Sequence, residues 1–125
     1  MEIRREQNDA QYQIRKYSPG CITVNEQEYS SSILVMPQYF SAWAVQDINS
    51  LQEINLLALL DLRPDVILLG TGDKLVFPAS NITQTVTNKK VGLEIMTTDA
   101  ACRTYTILVA EGRNVLAALL INKIV

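Results

Sequence analysis

Gly70-Thr71-Gly72 directly follows the apolar run Asp65–Leu69. A glycine-rich turn after a buried strand lets backbone approach a ligand closely, and open α/β sheets bind ligands beyond the carboxyl ends of their strands. The spacing excludes two familiar nucleotide sites. A dinucleotide fingerprint needs glycine at position 75, which is Leu75, and a phosphate loop needs Gly-Lys-Ser/Thr where this chain has Leu75-Val76-Phe77. Two readings remain: glycines that let elements pack closely, or a crevice for a small anion. Thr97-Thr98-Asp99 reads as a helix start, with Cys102 and Arg103 one turn on. In the crevice reading Gly70, Thr71, Gly72 and Thr98 frame the ligand, and Arg103 presents a guanidinium fork to its carboxylate. Cys102, near a helix start and an arginine, is then a candidate reactive thiol. The structural reading has Asp99 matching the helix dipole and pairing with Arg103.

Acid–base and metal chemistry have little material to work with. The chain contains no histidine, so Ser-His-Asp and Cys-His catalysis are absent in their usual forms. Cys21 and Cys102 lie far apart without metal-ligand spacing. No serine has a lysine three residues later. The expectation is no catalytic residue set, no metal and no cofactor. The two cysteines are expected to be buried thiols, with a disulfide left open.

The elements that position these residues follow from pattern. Tyr12, Ile14 and Tyr17 read as a strand closed by Ser18-Pro19-Gly20; Ile22 and Val24 alternate in a second. Asn25–Glu28 is a hairpin turn, and Tyr29–Met36 returns as one strand ended by Pro37. Tyr39–Val45 is an aromatic-rich connector. Ser50 and Glu53 fit a capping box, and Leu51, Ile54, Leu57 and Ala58 fall on one helical face, widened by Leu56, Leu59 and Leu60. Arg63-Pro64 stops that helix. A strand over Asp65–Leu69, a short extended piece at Leu75–Pro78, a weak helix over Ala79–Lys90 and a strand over Gly92–Met96 follow. A helix from Thr97 or Thr98 runs to about Glu111, stopped by Gly112, and Val115–Ile121 closes the sheet.

The fold expected is α/β: one compact layered domain over 11–125 with a mixed β-sheet, an antiparallel amino-terminal hairpin unit and two main helices. Residues 1–10 are expected to be a flexible polar terminus. With 125 residues and 48% apolar composition the chain can bury a real core. Its net charge of −2, with signs interspersed, argues against nucleic acid, which demands a basic stripe. The basic pairs Arg4-Arg5, Arg15-Lys16 and Lys89-Lys90 read as solvated surface. No apolar run approaches the ~20 residues that span a bilayer, and the amino terminus does not read as a signal or presequence. The expected location is cytoplasmic, without membrane insertion.

The combination of Ser18-Pro19-Gly20, Trp43, Pro64-Asp65, Gly70-Thr71-Gly72, Gly92, Met96, Thr98, Ala100-Ala101, Arg103-Thr104-Tyr105 and Glu111-Gly112-Arg113 resembles the family called domain of unknown function 498. The family includes a mitochondrial complex I assembly factor and an adipogenesis-associated protein. The resemblance covers about Tyr12 to Ile121. It implies a layered α/β fold with a final strand after Glu-Gly-Arg, and a role in assembly through protein contacts. It supplies no catalytic residues, and this chain departs from the mitochondrial members in its lack of a presequence.

The function expected is a non-enzymatic interaction or assembly module with a protein partner, and a homodimer is plausible. Its expected contact patch is Tyr39, Phe40 and Trp43 with the exposed corner Glu111-Gly112-Arg113, where Trp43 serves only if it is exposed. The alternative is a small-anion or small-molecule binder, or weak enzyme, using the Gly70–Gly72 crevice with Arg103.

Overall fold

Every central strand of the larger sheet is apolar on both sides, so the sheet must be covered on both faces. A computed structural model of the chain describes residues 10–122. The expected flexible terminus, with Arg4-Arg5, lies outside the described residues except for Ala10. Strands β1 (Ile14–Ser18), β2 (Cys21–Val24) and β3 (Gln27–Tyr29) form an antiparallel three-stranded sheet. Strands β4 (Ile33–Met36), β5 (Tyr39–Ala42), β6 (Val66–Gly70), β7 (Gly92–Met96) and β8 (Val115–Leu119) form a mixed sheet in the order β5-β4-β8-β6-β7. β6 runs parallel to β7 and β8, whereas β4 is antiparallel to β5 and β8. The helices are α1 (Glu53–Leu59), α2 (Ser80–Thr87) and α3 (Thr98–Ala110). This is the mixed α/β class with the antiparallel front unit, and the expected weak helix over Ala79–Lys90 is present as α2 beside α1 and α3.

Alternation along each strand sorts the core into two layers. Ile33 and Val35, Val66 and Leu68, and Val115, Ala117 and Leu119 face α3 and the small sheet, meeting Ile22, Ala101, Cys102 and Tyr105. Leu34 and Met36, Ile67 and Leu69, and Leu116 and Ala118 face the other way, onto Leu56, Leu59 and Val86 of α1 and α2.

Three local expectations are corrected. Tyr29–Met36 is two strands in different sheets, broken at Ser30-Ser31-Ser32 where the chain crosses between them. The hairpin turn shortens to Asn25-Glu26; Asn25 takes a left-handed φ of 55°, and its Oδ1 accepts from the Gln13 N–H. The connector at Tyr39 is the edge strand β5, paired with β4.

The Ser50–Glu53 capping box is also displaced. Ser50 closes a 3₁₀ turn by donating to the Asp47 carbonyl at 2.8 Å. The helix starts after it, with the Gln52 N–H donating to Asn55 Oδ1 at 2.7 Å. Ile54 and Leu57, expected on the buried face, are 65% and 42% exposed; Leu51, Leu56 and Leu59, also expected there, are buried. Arg63, with φ of 56°, ends the helical stretch just before Pro64.

Candidate functional site

Gly70-Thr71-Gly72 sits where the α/β rule places a ligand, beyond the carboxyl end of β6, but protein fills the space. The Thr98 hydroxyl, fully buried, accepts from the Gly72 N–H at 2.8 Å and donates to the Leu120 carbonyl at 2.6 Å. The Gly72 carbonyl accepts from the Thr98 N–H at 2.9 Å, and Gly70 accepts from Leu120 N–H at 3.0 Å. Thr71 N–H donates to the Met96 carbonyl. One side chain thus ties the end of β6 to the start of α3 and the end of β8.

The glycines are required by this closeness. A Cβ at Gly70 would lie 2.9 Å from the Thr98 Cα and 3.1 Å from Leu119 Cδ2. Gly72 has φ of 103°, and a Cβ there would run into the Asn122 side chain. Thr97 caps α3, its hydroxyl accepting from the Ala100 N–H, and the Thr98 and Ala101 N–H groups there also donate to protein carbonyls. A cleft of about 200 Å³ beside Thr71, lined also by Asp47, Ile48 and Asn122, is the open space next to the triplet.

Arg103 does not face the glycines. Its guanidinium pairs with Asp99 one turn back at 2.7 Å, and both side chains are more than half exposed. Such an exposed pair contributes roughly 0.3–0.5 kcal/mol at most. On its other side Arg103 borders a groove between α3 and β1, lined by Ile14, Arg15, Lys16 and Tyr17. Burial, followed by the nearby Asp99, Cys102 and Asp73, holds the Tyr17 phenol above its ordinary pKa.

Cys102 is buried, 4% exposed, and is a free thiol like the half-buried Cys21. Burial, with Asp99 adding to it and Arg103 opposing, pushes its pKa up to about 12. Of the two readings of Cys102, the buried thiol and the candidate reactive one, the structure has the buried, protonated thiol. In native protein, alkylation of Cys102 at mildly alkaline pH should run on the order of a hundredfold slower than that of Cys21, and the difference should vanish in denaturant. Because folding keeps the proton on above the unfolded value of 9.0, this group's contribution to stability is complete below pH 9 and falls as pH rises towards 12.

The aromatic patch divides between the two layers. Phe40 turns to the small sheet, stacking on Tyr12 at 5.6 Å and meeting Tyr29 at 4.8 Å between ring centroids. Trp43 enters the opposite core at 6% exposure, so the condition for its use as an interface anchor is not met. Tyr39 remains 38% exposed. Glu111 and Arg113 are exposed at the carboxyl end of α3, where Gly112 takes φ of 83°. The register places the β4–β5 turn and the start of β8 at the same end of the sheet.

The sequence reading missed the segment after the glycines. Leu75, Val76 and Phe77 are consecutive and 51%, 37% and 67% exposed. The loop base is held: the Thr71 hydroxyl donates to the Lys74 carbonyl and accepts from the Val76 N–H, and the Asp73 N–H donates to Asn122 Oδ1. Ile54 lies across a shallow groove from Asn81 and Ile82, in the first turn of the helix after this tip. The only sequence signal was three apolar residues in a stretch too short and Pro-terminated to be a core strand.

Comparison with known proteins settles the family. The model described as "Protein of unknown function (DUF498/DUF598)" matches residues 14–120. The chain belongs to the DUF498/DUF598 family. It is 29% identical over 117 residues to the "13 kDa major membrane protein" of Francisella tularensis, covering 92% of this chain and 95% of that protein. It is 31% identical over 121 residues to the "NADH dehydrogenase [ubiquinone] 1 alpha subcomplex assembly factor 3" of Xenopus tropicalis, covering 94% of this chain and 66% of that protein. A solved Bordetella parapertussis protein superposes with a TM-score of 0.84 at 34% identity, covering 89% of this chain and 96% of that one. The family fold is thus the one seen here. Among the described residues no helix is long and apolar enough to cross a membrane, and no three His, Cys, Asp or Glu residues gather as metal ligands.

Proposed function

We propose that this chain is a protein-interaction module of the assembly kind, and that it docks a protein partner through the Leu75-Val76-Phe77 tip. The observation that carries the reading is the tip itself: three consecutive large apolar side chains held in water on an anchored loop. Exposed apolar clusters on a fixed base are the surface that interfaces bury, and an aromatic ring there is a typical energetic anchor. The assembly-factor names of relatives such as the Xenopus protein support the same kind of role. Tyr39, Glu111 and Arg113, near the other end of the sheet from the tip, are a second, more polar candidate contact region, and self-association is one form the partner can take. The two unpaired thiols fit a reducing, cytoplasmic setting.

Affinity capture from native extract tests this with Phe77→Asp beside wild type and Arg103→Ala. A partner held by wild type and Arg103→Ala should bind Phe77→Asp about thirtyfold or more weakly, the scale of a lost hot-spot residue. Far-UV circular dichroism should be unchanged because Phe77 packs little. A partner retained equally by Phe77→Asp would sink the tip as the docking surface.

A further inference from the structure

The cation nominated for anion binding, Arg103, keeps company with β1 rather than with the glycines. Arg15, Lys16 and Arg103 line an open groove of about 410 Å³ between β1 and α3, in which Asp99 is the one lining carboxylate among the described residues. Beside it lies a smaller cavity of about 150 Å³, walled by Tyr12, Tyr105 and Val109. The two share Ile14, Arg15 and Thr106 in their walls, so they adjoin. Tyr105 donates its hydroxyl to the Tyr12 carbonyl at 2.8 Å, which fixes the cavity wall and leaves its ring as apolar lining.

We propose that this paired groove and cavity bind a small amphipathic carboxylate, its apolar group in the inner cavity and its carboxylate among Arg15, Lys16 and Arg103. Size argues for the apolar part: about 150 Å³ matches the room one benzene ring needs, and Tyr12, Ile14, Tyr105 and Val109 supply apolar wall beside the polar Gln13, Arg15 and Thr106. Charge argues for the carboxylate, since three cations stand against one acidic group that already holds Arg103. The Arg103–Asp99 pair is exposed, so an incoming carboxylate can share or replace that contact at little cost. Arginine forks match carboxylates in two-point geometry, which orients the head group while the ring is buried. The site is independent of the Leu75–Phe77 tip, and either assignment can fail alone.

Titration of the isotope-labelled full chain with hydrocinnamate, followed by amide chemical shifts, tests it. Saturable shifts are expected at Ile14–Tyr17 and Cys102–Ala110. The neutral analogue hydrocinnamamide should bind about tenfold more weakly, as should hydrocinnamate to Arg15→Gln. Val109→Phe, which fills the inner cavity, should remove binding while the spectrum stays folded; if that variant unfolds, Arg15→Gln decides. The proposal is overturned by absence of saturable shifts at millimolar ligand, by shifts centred elsewhere, or by equal affinity for the amide. Inorganic phosphate binding the same amides as tightly as hydrocinnamate would overturn it too, because the ring would then contribute nothing.

Discussion

Thr98→Val should destabilise the protein by about 2–6 kcal/mol while leaving its shape intact. Valine replaces the hydroxyl with a methyl group of similar size, so packing changes little. What is lost is the acceptor for the Gly72 N–H and the donor to the Leu120 carbonyl, both made by an oxygen with no exposure to water. Each backbone group left unsatisfied in a buried site costs roughly 1–3 kcal/mol, and here there are two. Thr98→Ser keeps the oxygen and gives up a methyl, so its cost should stay near ~1 kcal/mol. Urea denaturation of the two variants separates these terms. Equal midpoints for valine and serine would mean that Thr98 acts by packing alone and that the hydroxyl does not hold the three elements together.

Gly70→Ala should cost about 3 kcal/mol, the upper range for forcing one methyl into a packed site. Gly70 lies on extended backbone at the end of β6, so the penalty arises from proximity and not from torsion. Its new Cβ would meet the Thr98 backbone, the Thr98 hydroxyl and Leu119, and the first of these can yield only if α3 moves. Gly92→Ala provides the control. There the nearest atom is a Val66 methyl at 3.3 Å, so a change within about 0.5 kcal/mol is expected, helped by the smaller entropy of the unfolded chain. In Thr98→Val,Gly70→Ala the effects should not add, because both act on one contact. Additive losses would show that the two sites report on separate structural features.

Of the two sequence readings of these glycines, close packing and a ligand crevice, both expectations rest on close packing. Glycines after a buried strand signal close approach, but not what approaches. Thr98 and the triplet are both visible in the sequence; that the Thr98 hydroxyl joins them depends on β8 returning between β4 and β6, which brings Leu120 to both. Elements with local punctuation were legible. β6, β7 and α3 follow from an unbroken apolar run, from Gly92, and from the Thr97 cap with Gly112 beyond it.

The amino-terminal third was less legible because its errors are tertiary. Tyr29–Met36 is apolar enough for one strand, and only the crossing between sheets divides it at the serines. β5 shows no clean alternation, since its edge position leaves Tyr39 and Ala42 exposed. In α1, Leu56, Leu57, Leu59 and Leu60 spread around the helix, so periodicity does not choose the buried face; contact with α2 and the sheet does. The tip at Leu75–Phe77 was hidden for the opposite reason. Apolar residues imply burial by default, and their exposure is what the docking proposal rests on.

The most direct test of the docking account places a photo-crosslinking benzoyl-phenylalanine at position 77 and, in a second variant, at position 111, in native extract. The account predicts a discrete protein adduct from position 77, competed by excess wild-type protein but not by Phe77→Asp, and no matching adduct from position 111. No adduct from position 77, or one that Phe77→Asp competes as well as wild type does, would contradict it.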